Sequence, residues 1–527
     1  MKRASPGSHM IVGLAIVTAA TVALQTSAAT LYVSQSSPNP TPPYSTPETA
    51  AHNIQDAVDV ATGGDTVLVA PGDYGVTNQI NVTNAVRLQS TDGASQTFLT
   101  GNAVINQGLW CLAISNALAI ADGFTLRRGT EDPGGAILVG GTIQNCNFTN
   151  FYNSYGSLVM SGGTVSNVIV AYIRQPGGNA VSCSDSGLIT DSRILCTAAI
   201  ANGTGVSLVN SRLQNSVISG GPNAGPSRGV AVAAISSTVV GCTISNNFNE
   251  GKGGGAYLQD SLMDRCIVTG NTAAYGAPGY GGGGIFETNS VIRNSLVVAN
   301  GSTIASGDPT YGGYGGGVYM QGGALVNCTV SENSAFSFPD APGAGGGIYV
   351  EGNGTVTNSI IYFNTLSTDS SSSNWFNAGP GVFDHCCTAP DPGGAGNLTQ
   401  DPQFLDLANG NSHLASSSPC IDAGTNQPWM AGARDLDGNS RISSASVDMG
   451  AYEAPPASML SIIHSGSNVI LRWPSAGTPG LVLQQSSDLT ALESWTPNTA
   501  PVTDDGTNKS ITIPATNNIL LFRLRSP

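Results

Sequence analysis

Titratable side chains are scarce in this sequence, so the few that cluster stand out. Arg127-Arg128 with Glu131-Asp132 is the densest charged group. Elimination on a uronate needs a Lys or Arg base, with further cations or Ca²⁺ to hold the sugar carboxylate. A surface turn is the plainer account of this group. Asp260 and Asp264 are the nearest approach to the two carboxylates of a glycosidase. Those must stand about 5 Å apart for retention or about 6.5–9.5 Å apart for inversion, and these two flank a turn. Asp435-Leu-Asp437-Gly-Asn439 alternates oxygen side chains as a Ca²⁺ loop does. As an EF-hand it fails, because Ser446 stands where the closing Glu should be, and an Asp-rich turn is the plainer account. Arg441 is placed to fasten this region by pairing with Asp448 or Glu453. The histidines, His9, His52, His385, His413 and His464, all avoid the repeats described below. No nucleophile triad, phosphate loop or zinc spacing is present.

Aromatic residues make up 6% of the chain, yet Tyr275, Tyr280, Tyr311, Tyr314, Phe336 and Phe338 fall in three loops. Asp308 and Asp340 accompany them amid Gly, Ser and Pro. Rings beside polar groups suit sugars, which offer C–H faces and hydroxyls. A second set, Tyr257, Phe286, Tyr319 and Tyr349, alternates with Ala256, Ile285, Val318 and Ile348. One set therefore points inward and the other outward. With the smaller residues inside, the aromatics form an exposed stack, either a ligand shelf or a shield for the sheet.

What positions these rings is a repeat. Cys242-Thr-Ile-Ser-Asn-Asn247, Cys266-Ile-Val-Thr-Gly-Asn271, Ser295-Leu-Val-Val-Ala-Asn300, Cys328-Thr-Val-Ser-Glu-Asn333 and Ser359-Ile-Ile-Tyr-Phe-Asn364 share one pattern. Glycine-led strands lie between them, at Gly255, Gly284, Gly317 and Gly347. The step from Cys or Ser to Asn is always 5, while the stretch from Asn to the next strand varies as 9, 14, 18 and 15. One corner takes nearly all the insertions. Strands that must stack in register while one loop bulges mean a parallel β-helix. Asn suits the left-handed conformation of a sharp corner, and its amide can bond its counterparts above and below at about 4.8 Å. Asn145-Cys146, Asn167 and Asn215-Ser216 mark earlier coils. Asn53 to Ala61 places apolar residues at helical spacing, a helix that caps the open end.

Residues 53–74 resemble the N-terminal cap of secreted right-handed parallel β-helix proteins of the pectin-lyase-like superfamily. The segments Asn397-Leu-Thr-Gln-Asp401-Pro402, Ser418-Pro419-Cys420-Ile-Asp422, Asp435-Leu-Asp437-Gly438-Asn439 and Val447-Asp448-Met-Gly450-Ala-Tyr452-Glu453 are similar to the tail of bacterial choice-of-anchor Q surface proteins. The alternating repeat also resembles that of chlamydial polymorphic outer-membrane proteins. These resemblances imply an exported β-helix. They imply no single activity, since the fold hosts lyases, hydrolases, epimerases and adhesins.

Composition agrees. The chain has 527 residues, with 68 Gly, only 10% charged residues and a net charge of −15. Charge-rich disorder, a helical bundle and a basic nucleic-acid surface are excluded. Lys2 and Arg3, an apolar run from Ile11 to Leu24 and Ser27-Ala28-Ala29 read as a secretory signal over residues 1–29, too short to span a bilayer. Export permits disulfides among the ten cysteines, with Cys386 or Cys387 pairing with Cys420 and Cys387 preferred. Such a bridge would stabilise by ~3 kcal/mol. Cys146, Cys242, Cys266 and Cys328 read as small buried hydrophobes. The domain reading is a cap and first strands over 30–75, an all-β right-handed parallel β-helix over 76–400 and its tail over 401–455. After Pro455-Pro456, a small β-sandwich over 456–527 is expected from alternating strands.

The functional expectation is an exported protein that binds polysaccharide or a cell-surface glycan, as an adhesin, through its aromatic loop edge. The alternative is a polysaccharide lyase or glycoside hydrolase, and a second alternative is a passive surface-structural role. Ca²⁺ is the one cofactor considered, and no nucleic-acid partner or transmembrane segment is expected.

Overall fold

A computed structural model describes residues 28–525 except 103–109, 130–133, 152–155, 172–177, 197–203, 221–228, 275–280, 304–311, 338–341, 368–372, 455–459, 476–479, 488–494, 506–507 and 516–519. The signal-like segment before Ala28 therefore lies outside the described residues, as do Glu131, Asp132, Tyr275, Tyr280, Asp308, Tyr311, Phe338 and Asp340. No described helix is long and apolar enough to cross a membrane.

The chain winds as a right-handed parallel β-helix. One coil shows the logic. Strand Ala256–Gln259 belongs to a first sheet, Leu262–Asp264 to a second, Ile267–Thr269 to a third and Thr272–Ala274 to a fourth. The chain then returns to the first sheet at Ile285–Thr288, and Ala256 pairs with Ile285, Tyr257 with Phe286. Among the described residues the first three sheets have 12, 14 and 13 strands, all in parallel register, and the fourth has five. Inward residues of the three long sheets form one apolar core running from Leu31 to Cys386. Most of the variation in length falls between the last strand of a coil and the next strand of the first sheet, the corner expected from the repeat spacing.

In this coil the other corners take two residues, the first left-handed and the second small and buried. Asp260 (φ 49°) precedes Ser261, Arg265 (φ 52°) precedes Cys266, and Gly270 (φ 65°) precedes Asn271. This corrects one of the two roles expected of the repeat asparagines, the left-handed one, and bears out the other. The left-handed residue is the one before each of them: Asn246, Gly270, Ala299, Glu332 and Phe363. The asparagines themselves form a buried ladder. Each Nδ2 donates to the Oδ1 of the next, from Asn247 to Asn271 (2.8 Å), Asn300 (2.9 Å), Asn333 (3.0 Å) and Asn364 (3.0 Å). Each Oδ1 also accepts the backbone N–H of the asparagine before it, as in Asn271 N to Asn300 Oδ1 at 2.9 Å. A left-handed non-glycine residue costs about 1–2 kcal/mol. Several buried hydrogen bonds per rung, each worth about 1 kcal/mol net, offset it.

Serines line the corner between the first and second sheets in the same way. Ser211 N donates to Ser237 Oγ, Ser237 N to Ser261 Oγ and Ser261 N to Ser290 Oγ. The row stops at Gly323, where φ is 63° and a Cβ would collide with Ser290 O. Ser290 N is taken instead by Glu287 Oε2 at 2.9 Å. Glu287 occupies an inward position between Leu258 and Met320, is fully buried, and its Oε1 has no hydrogen-bond partner.

Both ends are covered. Helix Ile54–Val60, capped by Asn53 accepting from Gln55 N at 3.0 Å, adds Ile54, Ala57 and Val58 to the core at one end. At the other, residues 398–453 fold back over the flank of the last coils. Asn327 Nδ2 donates to Asp448 O, Asn358 Nδ2 to Thr425 O, and Ala451 N to Thr329 Oγ1. Arg441, fully buried, bonds Glu453 Oε2 at 2.9 Å and donates to the carbonyls of Asp448, Ala451 and Tyr452. Of the two expected partners, Glu453 supplies the carboxylate. Beyond residue 459 two antiparallel sheets share a small core of Leu471, Trp473, Leu483 and Ile511.

Candidate functional site

The outward row of the first sheet carries the rings picked out by alternation, and it continues one rung further. Tyr257, Phe286, Tyr319, Tyr349 and Phe376 stack with centroids 5.8, 4.8, 4.9 and 5.5 Å apart. Ala256, Ile285, Val318 and Ile348 face the core, as expected. The stack is not open along its length, however. Phe286 is 0% and Tyr319 1% exposed, whereas Phe376 is 39% exposed and Tyr257 and Tyr349 are half-buried. Glycine segments of the variable corner close over the middle rungs; a Cβ on Gly281 would come within 2.9 Å of the Tyr319 ring. Lys252 sets its ammonium 4.4 Å over the Phe286 ring. The expectation of an exposed shelf thus holds only towards the ends.

Beside the rings runs a polar row. Tyr257 Oη donates to Gln259 Oε1 (3.3 Å), Thr288 Oγ1 to Gln321 Oε1 (3.4 Å), and Gln321 Nε2 to the exposed Glu351 Oε2 (2.6 Å). The Tyr319 hydroxyl also bonds Glu351, and burial followed by that carboxylate pushes its pKa up. Tyr314, from the corner, lies 5.0 Å from Tyr349. At the Phe376 end, Tyr314, Tyr349, Phe376, Gln321 and Glu351 therefore form one partly open patch of rings, amide and carboxylate. Phe336 shares the corner through its backbone, its N donating to Ser302 O at 2.8 Å.

The other candidates fare differently. Arg127 and Arg128 end a strand of the third sheet, Thr125–Arg128. Arg127 lies 4.2 Å over the Phe98 ring and donates to Thr100 Oγ1 (3.0 Å) and Asp73 Oδ2 (2.8 Å). Thr100 in turn bonds Asp73. Asp73, 54 residues away in sequence, is the partner that local inspection missed. Asp260 and Asp264 are not brought together as a catalytic pair. Asp260 is a left-handed corner residue, while Asp264 ends the next strand and bonds Arg293 (3.3 Å) and Asn294 (2.9 Å).

Asp435, Asp437 and Asn439 do not converge as cation ligands. Asp435 is fully buried and accepts Asn439 N (2.6 Å) and Glu453 N (2.8 Å), with Asn439 Nδ2 at 3.3 Å. Asp437 faces His413 Nε2 at 2.7 Å. No group of three or more His, Cys, Asp or Glu suited to a metal occurs among the described residues. Cys387 and Cys420 are buried free thiols that hydrogen-bond one another, joining the last strand of the third sheet to the tail. Cys146, Cys242, Cys266 and Cys328 are buried in the core, as expected.

The rung at Phe376 was missed because its strand, Trp375–Asn377, lacks the glycine lead of the others. Its signal was Asn374, whose Oδ1 ends the asparagine ladder by accepting from Asn364 Nδ2 at 3.2 Å.

No protein-family model and no curated protein matches the chain. Among solved structures it is similar to pectate lyase Pel9A, at 13% identity over 81% of this chain and 97% of that one, with a TM-score of 0.39. It is also similar to alginate lyase AlyF-OU02 in complex with G6, at 11% identity over 74% and 92%, TM-score 0.41. A third is the catalytic domain of a GH87 α-1,3-glucanase in complex with nigerose, at 13% identity over 62% and 67%, TM-score 0.27. These neighbours are polysaccharide lyases and a glycoside hydrolase, and the likeness concerns the solenoid fold.

Proposed function

We propose that this chain is an exported polysaccharide-binding protein that takes its ligand where the ring stack opens, at Tyr314, Tyr349 and Phe376 beside Gln321 and Glu351. The carrying observation is the pairing of rings with a polar row on one sheet face. A pyranose presents C–H bonds on its faces and hydroxyls around its rim. Half-open rings receive the faces, and the amide and carboxylate receive the hydroxyls. Binding of soluble and insoluble glycans by purified protein tests this. Wild type should bind at least one, and Tyr349→Ala and Phe376→Ala should weaken it by about tenfold each, the loss of a contact worth about 1.4 kcal/mol. Binding unchanged in both variants would reject the site.

A second reading, a polysaccharide lyase or glycoside hydrolase, draws on the Arg127–Thr100–Asp73 cluster, where a guanidinium and a carboxylate, 34% and 51% exposed, share an outward sheet face. Its test is product rather than binding. Unsaturated or reducing ends released by wild type but not by Arg127→Ala would favour it, and their absence across the panel would leave the binding reading alone.

A further inference from the structure

Resting on the binding reading, we infer that the ligand is an uncharged glycan rather than a polyuronate. The sorting of charge over the solenoid is the observation. The twelve strands of the first sheet contain no Lys or Arg, whereas Arg87, Arg212 and Arg293 stand on the second sheet and Arg127, Arg128 and Arg193 on the third. In the sequence that carries the last rungs the bias sharpens. From Asn294 to Ala433 the sequence has no Lys or Arg and ten Asp or Glu. Lys252, the cation placed on the stack, sits over the buried Phe286 ring, whereas Glu351, beside Tyr319 and Gln321, is acidic and exposed.

A polymer carrying one carboxylate per sugar would approach this end with no Lys or Arg on the first-sheet strands to receive it, against a chain of net charge −15. Like charges set face to face cost affinity and slow encounter. A neutral pyranose meets no such penalty. Its hydroxyls can donate to Glu351 Oε and Gln321 Oε1, whose acceptor lone pairs exceed the bonds they make within the protein. Contacts of this kind, ring stacking and hydroxyl bonds, depend little on ionic strength, whereas a binding mode built on ion pairs weakens as the Debye length falls from about 10 Å towards 3 Å.

The test uses full-length protein and two sets of probes. Neutral β-glucan, xylan and galactomannan form one set, and polygalacturonate and alginate the other, each at 50 and 500 mM NaCl, with EDTA or with Ca²⁺. The expected result is binding to at least one neutral polymer with less than about twofold change across the salt range, and a loss of about tenfold in Phe376→Ala. Tighter binding of either uronate polymer, with or without Ca²⁺, would overturn the inference. If Phe376→Ala abolished that uronate binding, the site would stand and only the ligand class would fall. If no polymer of either set bound, the binding reading would fall and the inference with it.

Discussion

Glu287 gives the sharpest test of the physical account of the coil. It lies in the core with Leu258 and Met320 in register on either side, one oxygen on Ser290 N and the other unpartnered. Burial pushes its carboxyl up to about 8 from an ordinary value of 4.5, opposed only by the Ser290 bond. The unfolded chain loses this proton near pH 4.5 and the folded chain near 8, so between them the folded state holds one more proton. Stability therefore falls as pH rises through that window, by about 1.4 kcal/mol per unit. The loss is absent below pH 4.5, about 3 kcal/mol at pH 7 and about 5 kcal/mol once pH exceeds 8. Glu287→Gln keeps an acceptor for Ser290 N and cannot ionise. Relative to wild type it should be neutral near pH 4.5, more stable by about 3 kcal/mol at pH 7, and more stable still at pH 9. Urea unfolding at the three pH values measures this, with amide hydrogen exchange over residues 285–293 confirming that the change is local. Because both proteins retain Glu453, also pushed up to about 8 by burial against the pull of Arg441, its contribution cancels in the difference. A wild-type-to-variant gap that stays constant from pH 5 to pH 9 would refute the reasoning.

Other predictions follow from the same contacts. Asn300→Ala removes the acceptor of Asn271 N and the donor to Val268 O (2.9 Å) and Asn333 Oδ1 (3.0 Å), and should cost at least about 3 kcal/mol, read by denaturant midpoint. Arg441→Met strands a buried Glu453 and should cost about 3–5 kcal/mol, while adding Glu453→Leu should recover most of it. Oxidation should couple Cys387 to Cys420, lowering the thiol count of the denatured protein from 10 to 8, and Cys420→Ser should hold it at 9 under oxidising conditions.

The architecture was legible because stacking leaves a metric in the sequence. A constant step of 5 from Cys or Ser to Asn reports a rigid corner and strand, and the variable steps report the one free edge. Finer points depended on neighbours outside that metric. Of the two roles read for the asparagine, it fills the ladder, while the left-handed position belongs to the residue before it. The corner accepts Ala299, Glu332 or Phe363 in the left-handed position, so residue type there gives no signal. Period-two alternation assigned Tyr319 to the outer face correctly, but it cannot say what lies above that face. Arg127 meets a carboxylate from another coil, Asp73, which its sequence neighbours do not announce. Glu287 gave no local cue because its role is set by a glycine one coil later.

The tail that folds back over Asn327, Thr329 and Asn358 has a consequence for how this molecule can change length. Upstream of Arg293, a coil touches the coils before and after it through interchangeable rungs, so a duplicated or deleted coil would find compatible partners on both sides. Downstream, the tail grips particular side chains on three successive coils, with Trp429 under Arg293, Asp448 O on Asn327 and Thr425 O on Asn358. Adding a coil there would carry Asn358 about 4.8 Å away from Thr425 and break the grip. Growth and shrinkage by whole coils should therefore be tolerated on the helix side of Arg293 and rejected on the tail side. The solenoid is extensible at one end and fixed at the other.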